Sequence, residues 1–220
     1  RLVWQTGAFY FNEKLDVERG LYRAPPPPFL LGANGGYVNY FFRNVESRSW
    51  AVFGQADFKV SDQITLVGGL RYTDDKRSAR YRDHGGAIAN PANPLFNTGS
   101  VRPADPGTPL RNLTLGSEAD KLTWLAGINY KPDPDTLIYG KVSTGFKAGG
   151  FDSVGQYAPE TNTAYEAGLK KNFGANGQHI FNLAGFYYDY KDLQVGVLLD
   201  TTKGSQIFNA GKATIWGLEA

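Results

Sequence analysis

The 220-residue sequence has no cysteine, no methionine and only two histidines. Without cysteine there is no disulfide framework, no thiolate metal site and no cysteine nucleophile. His84 and His179 stand far apart without a ligand partner at metal spacing, so no histidine-based metal site and no cofactor are expected. A formal net charge of +2 is too small to draw a nucleic acid. No segment approaches the roughly 18 consecutive apolar residues of a membrane-spanning helix, and the N-terminus lacks the pattern of a signal peptide. Because the chain also lacks a start methionine, we expect a processed protein or a piece of a longer exported one. The mean hydropathy is low, at −0.37. That does not exclude a membrane protein, because a membrane β-barrel needs an apolar residue only at alternate strand positions.

Alternation is what the sequence does have. Trp50, Val52, Gly54, Ala56, Phe58 and Val60 oppose Ser49, Ala51, Phe53, Gln55, Asp57 and Lys59, a period of two with one apolar face. After Ser61-Asp62-Gln63 the pattern resumes with Ile64, Leu66, Gly68, Leu70 and Tyr72. A second hairpin sets Leu122 to Tyr130 before Pro132-Asp133-Pro134-Asp135 and a strand over about 136–147. A third sets Tyr165 to Phe173 before Gly174-Ala175-Asn176-Gly177 and a strand over about 179–192. Strands near 2–11 and from 211 complete seven full strands and a partial eighth. In the strands near 2–11 and 179–192 both alternating sets carry aromatics, so their facing stays open. All twelve prolines (25–28, 91, 94, 103, 106, 109, 132, 134 and 159) fall in expected turns, loops or just before strands.

The expected strands run to about 11–14 residues, against about 5 or 6 in soluble sheets and roughly 9–11 in a bilayer. Connections alternate too: those near 60–63, 132–135 and 174–178 are short, and those near 13–45, 77–118, 148–159 and 192–209 are long. Outer-membrane barrels have short periplasmic turns and long extracellular loops. With that orientation Trp50, Tyr72, Trp124, Phe146, Tyr165 and Trp216 form an outer aromatic girdle, and Phe58, Tyr130 and Phe173 an inner one. Trp50 and Phe58 lie roughly 20 Å apart in height, near the apolar band of about 25 Å. The opposite face carries Arg71, Lys141, Glu166 and Lys170, which suits a wet lumen and also contact with an internal plug. The fold expected is all-β, a segment of an antiparallel up-and-down transmembrane β-barrel. A soluble β-sandwich or adhesin would need both sheet faces covered by protein.

The stretch Leu137-Ile138-Tyr139-Gly140-Lys141-Val142-Ser143-Thr144-Gly145-Phe146-Lys147-Ala148-Gly149-Gly150-Phe151 resembles a strand of the TonB-dependent outer-membrane receptors. Pro159-Glu160 with Tyr165-Glu166-Ala167-Gly168-Leu169-Lys170, then Phe186 to Gln194, then Asn209-Ala210-Gly211-Lys212-Ala213 with Gly217-Leu218-Glu219 resemble the family's following strands in order. Val52-Phe53-Gly54-Gln55 and Gly69-Leu70-Arg71-Tyr72 resemble an earlier hairpin. The resemblance implies a 22-stranded barrel filled by a plug domain and driven by a TonB-type energy-coupling complex. Residues 1–220 would then be part of the barrel domain, without the plug or the closing strands. It further implies a receptor in the cell outer membrane of a Gram-negative bacterium, in contact with lipid. Such a receptor captures a small-molecule nutrient, most often a ferric siderophore; a passive porin-like or small structural barrel is the alternative.

No enzymatic role finds support: no Ser/His/Asp arrangement can be argued, and no catalytic residue is assigned. Asp133 and Asp135 read as turn formers rather than calcium ligands. The connection over 77–119 holds Arg80, Tyr81, Arg82, Arg102 and Arg111, which offer contacts to an anionic ligand. Pro25 to Pro28 read as stiffening of the first long loop, with recognition as the alternative.

Overall fold

The computed structural model describes residues 1–23, 37–87, 111–152, 155–174, 177–200 and 204–220. Its elements are all strands: β1 (Leu2–Arg23), β2 (Tyr37–Lys59), β3 (Ile64–Ala87), β4 (Arg111–Asp133), β5 (Thr136–Lys147), β6 (Gly150–Phe151), β7 (Gln156–Tyr157), β8 (Glu160–Phe173), β9 (His179–Lys191), β10 (Gln194–Asp200), β11 (Gly204–Asn209) and β12 (Lys212–Glu219). Among the described residues no helix is long and apolar enough to cross a membrane, a statement that does not bear on crossing by strands. Eight strands form one sheet in the order β1-β2-β3-β4-β5-β8-β9-β12, and the pairs β6-β7 and β10-β11 form two small hairpins.

The chain divides into two compact units. The first holds Arg1–Phe11, Arg48–Lys76 and Ser117–Ala220; the second holds Asn12–Ser47 and Arg77–Gly116. In the first unit β5 pairs β8 without a bulge from Thr136↔Lys171 to Lys147↔Glu160. β8 then pairs β9 from Thr161↔Lys191 to Phe173↔His179. An unbroken antiparallel register carries one face from strand to strand, because residues directly opposite point to the same side. This settles the facing the alternation left open. Phe181, Leu183 and Tyr187 of β9 lie on the face of Lys171, Leu169 and Tyr165. In β1, Thr6 meets the space above Gly54, and Gly7 lies beneath the Phe53 ring, so the even positions of β1 share the face of Gly54.

Two expectations are corrected. The connections near 13–45 and 77–118 are not simple loops, since β1 to β4 run for 22–24 residues and carry the ladder well into them. In the second unit that extension is held by polar cross-strand pairs, Lys14 with Glu46, Asn44 with Asp16 and Arg43 with Asp83. Connections 148–159 and 192–209 hold the hairpins β6-β7 and β10-β11. Pro132, expected in a turn, is the penultimate residue of β4, and its carbonyl accepts a hydrogen bond from the Gln63 side chain at 3.1 Å. Pro134 and Pro159 lie where expected, between strands. The other prolines fall outside the described residues.

Two of the short turns are pinned by side chains. Ser61 Oγ accepts from the amides of Gln63 and Ile64 at 3.3 and 3.1 Å. At the second turn Asp133 accepts from the Asp135 amide and the Thr136 hydroxyl, both at 2.9 Å. The Lys171 ammonium reaches the Thr136 hydroxyl at 2.6 Å and Asp133 at 3.5 Å. The Thr136 hydroxyl bond, joined by the Asp135 amide and the Lys171 charge, holds the Asp133 carboxyl below its ordinary value.

A carboxyl depressed in the folded state adds stability above its unfolded value and loses it as the pH falls through the folded value. This turn is therefore expected to be firm at neutral pH and to loosen in acid, below the ordinary carboxylate range. Exchange protection of the Asp135 amide should fall there in the native protein, and Asp133→Asn should flatten the response. Protection that ignores pH in the native protein would contradict this.

Candidate functional site

The paired register aligns many of the large apolar residues of the first unit in rows on one face. Val142, Tyr165, Tyr187 and Trp216 form one row across β5, β8, β9 and β12, with the Tyr165 and Tyr187 rings 6.3 Å apart. A parallel row runs through Tyr130, Ile138, Leu169 and Leu183. Phe146 stands on the same face opposite Thr161, and Phe173 meets His179 in a tilted contact at 5.2 Å. Trp50 and Tyr72 meet at 5.4 Å. Trp50, Phe58, Trp124, Tyr130, Tyr165 and Phe173 are all at least 38% exposed, and Trp216 is 75% exposed. A shallow groove of about 1000 Å³ lies among Trp4, Leu70, Tyr72 and Trp124, where Gly54 and Gly68 leave room. So many exposed large apolar side chains on one face are costly in water and mark a surface that meets something apolar.

The opposite face carries the charged residues among further aromatics, Phe9, Phe53, Tyr139 and Phe186, and holds two clusters. The Arg71 guanidinium lies between the Phe9 and Phe53 rings, 5.9 and 5.6 Å from their centroids, the geometry of a cation–π contact. Its Nε donates to Thr73 Oγ1 at 3.1 Å. On the far side of β4 from Arg71, Lys141 of β5 sits opposite Glu166 of β8. Lys141 Nζ reaches one carboxylate oxygen of Glu166 at 2.9 Å, and the Tyr139 hydroxyl donates to the other at 2.8 Å. Gly168 lies directly opposite Tyr139, and any side chain there would collide with that ring. Gly217 beneath Phe186 repeats the arrangement. Lys170 shares this face but stands apart, opposite Leu137 and Asn182.

At the long-connection ends of β5, β8, β9 and β12, the motif residues form a knot. Gln194 donates from its amide nitrogen to the carbonyls of Ala148 and Ala158 at 3.0 and 3.1 Å. The Gln194 backbone N–H donates to the Glu160 carboxylate at 2.8 Å. Asn209 Oδ1 accepts from the Ala158 amide at 2.8 Å, while its Nδ2 donates to the Ala158 and Asp192 carbonyls at 2.9 and 2.8 Å. Asp152 receives the Gly155 amide at 2.9 Å and the Ile207 amide at 2.7 Å. Sequence reading placed Glu160, Gln194 and Asn209 within matching motifs but gave them no role, and it singled out Asp152 not at all. Gln and Asn amides at strand ends can serve backbone groups that have left a ladder, but no local pattern says which ones.

Among the candidate ligand contacts, three can be placed within the second unit. Arg80 Nε donates to Asn112 at 3.3 Å, and Arg82 donates to Asn44 at 2.9 Å while its guanidinium lies over Phe42 at 5.5 Å. Tyr81 points to the other face, as strand alternation requires, and its ring lies 4.5 Å from the Arg43 guanidinium. Arg80 borders a cavity of about 440 Å³ with Lys14, Asp16, Asn44 and Glu46, a mixed-sign lining. The Glu46 hydrogen bond and charge raise the Lys14 ammonium above its ordinary value. Arg102 lies outside the described residues, and Arg111 opens β4 with its side chain not described. Among the described residues no cluster of three or more His, Cys, Asp or Glu could hold a metal ion.

The family model described as TonB dependent receptor-like, beta-barrel matches residues 2–220. The pesticin receptor of Yersinia enterocolitica is 24% identical over 216 residues, covering 94% of this chain and 26% of that protein. Among solved structures, the ferric yersiniabactin uptake receptor of Yersinia pestis shares the fold with a TM-score of 0.59 at 18% identity, over 99% of this chain and 33% of that one. A siderophore receptor of Acinetobacter baumannii does so with a TM-score of 0.53 at 14% identity, over 99% of this chain and 35% of that one. The chain thus spans about a quarter of the length of the curated relatives it matches.

The polar face yields a steric test in the parent protein refolded into detergent. Gly168→Val forces the Tyr139 ring off Glu166 and should lower unfolding stability by roughly 1–3 kcal/mol. Gly68→Val enters open space and should stay within about 0.5 kcal/mol of native. Equal losses at both positions in a urea titration would contradict this reading.

Proposed function

This chain belongs to the TonB dependent receptor-like β-barrel family, and from that premise we propose that it forms part of the barrel wall of an outer-membrane uptake receptor. The family is one of receptors, not enzymes, and its ligand here is a scarce small-molecule nutrient. We take a ferric siderophore as the ligand class, a choice supported by the siderophore receptors that share the fold. The observation that carries the reading is the family match over residues 2–220, joined to a sheet with rows of exposed apolar residues on one face and the charged Arg71, Lys141 and Glu166 on the other. On this reading the apolar face with Trp50, Tyr72, Trp124, Tyr165 and Trp216 meets lipid, and the interior strands β5, β8 and β9 bring their backbone polar groups paired to one another. Arg71, Lys141, Glu166 and Lys170 face the lumen, where a plug domain and its energy-coupling partner act. Arg80, Tyr81, Arg82, Arg102 and Arg111 belong to the region that meets an anionic ligand from outside.

Uptake in a receptor-deficient Gram-negative host tests this. The full-length gene should restore accumulation of radiolabelled iron supplied as a ferric siderophore, and deleting the host's energy-coupling protein should abolish the gain. Accumulation that persists without energy coupling would instead indicate a passive pore. Membrane fractions without the protein would sink the barrel reading itself.

A further inference from the structure

The hairpins β6-β7 and β10-β11 are separate in sequence, and each is short. Hairpins of this size are marginal alone in water, so what fixes them must lie at their bases. Both strands that feed the second hairpin change conformation at its root. Asp192 has φ 56° and Gly211 has φ 62°, where β9 and β12 leave the main sheet. Asp192 is a non-glycine residue in the left-handed region, a strained geometry that persists only when its surroundings over-determine it. Its surroundings do so: its amide donates to the Gly211 carbonyl, and its own carbonyl accepts from Asn209 Nδ2.

The same Asn209 reads both the N–H and the C=O of Ala158, which lies just after β7. Gln194, at the start of β10, bonds the carbonyls of Ala148 and Ala158 on either side of β6-β7. Asp152, in the first hairpin, takes the Ile207 amide of β11. Glu160 takes the Gln194 amide. Gly149 and Gly150 keep the first hairpin closed at its base, because a side chain at either would strike Tyr157. Every one of these bonds joins one connection to the other or to the strand beneath it.

We propose that Asp152, Glu160, Gln194 and Asn209 form a clasp that couples the two hairpins into one mechanical body. Each contact of the clasp is a side chain of one segment holding a backbone N–H or C=O of another, so releasing one residue loosens both connections at once. The four residues therefore open together, and a ligand that displaces one hairpin displaces the other. Asn209 and Gln194 are positioning residues in this device. Its bearing on uptake rests on the receptor reading, whereas the coupling itself does not, so the two fail independently.

The test uses the full-length protein in lipid nanodiscs with spin labels at Gln156 and Leu198, one on each hairpin, and pulsed distance measurement. The native clasp should give one narrow distance distribution. The double variant Gln194→Ala/Asn209→Ala should broaden it about twofold, the expected consequence of turning one cooperative unit into two. Exchange protection of β8 and β9 should stay native, a readout that general unfolding would not spare. Asp152→Asn keeps one acceptor oxygen and serves if the double variant does not fold; it should broaden the distribution partly. A broad native distribution, or one unchanged by either variant, would overturn the proposal.

Discussion

A backbone crossing hydrocarbon must pair every N–H and C=O internally, and in a strand it can do so only with its neighbours. Here that pairing is unbroken from Thr136↔Lys171 through Phe173↔His179 across β5, β8 and β9. Register and side-chain period together then convert a one-dimensional pattern into two surfaces. Val142, Tyr165, Tyr187 and Trp216 become a row only because no bulge intervenes along their ladders. On the reverse side the same register sets Lys141 against Glu166 and lays Tyr139 over Gly168. A strand glycine is intrinsically weakening, but beneath a cross-strand ring it becomes the floor on which an aromatic packs.

Where the ladder ends, the pairing requirement remains and other groups meet it. At the short turns, Ser61 and Asp133 serve amides that have run out of partners. At the opposite ends Gln194 and Asn209 take that role, and their carboxamides suit it because each offers a donor and an acceptor at once. In the second unit the ladder continues but its side chains change character. Lys14, Asp16, Asn44, Glu46 and Arg82 interlock through charge and amide contacts where apolar packing would otherwise act.

Hairpins, short turns and the two faces of β2 to β5 and β8 were legible because alternation of apolar residues marks them directly. The ends of β1 to β4 were not. Alternation of hydropathy ceases near Asn12 and Arg77, whereas backbone pairing does not, so a reading based on hydropathy stopped where the polar ladder began. The facing of β1 and β9 was illegible for another reason. Both alternating sets carry aromatics, as with Phe186 and Tyr187, and only the register, Phe186↔Gly217 and Tyr187↔Trp216, separates them. The clasp was the least visible feature. Asp152, Gln194 and Asn209 are distant in sequence from most of the groups they hold, and no local pattern announces a long-range side-chain-to-backbone bond.

Site-directed labelling in intact membranes tests the two-faced sheet most directly, and these 220 residues hold no cysteine to compete with the introduced ones. Single cysteines would replace Val52, Leu70, Ile128 and Tyr165 on one face, and Gln55, Arg71, Asn129 and Lys141 on the other. Each would carry a fluorophore challenged in turn by lipid-dissolved and water-soluble quenchers. The two-faced sheet requires strict alternation, with lipid quenching at the first set and aqueous quenching at the second. Equal quenching of both sets by the aqueous agent would contradict a membrane-spanning wall.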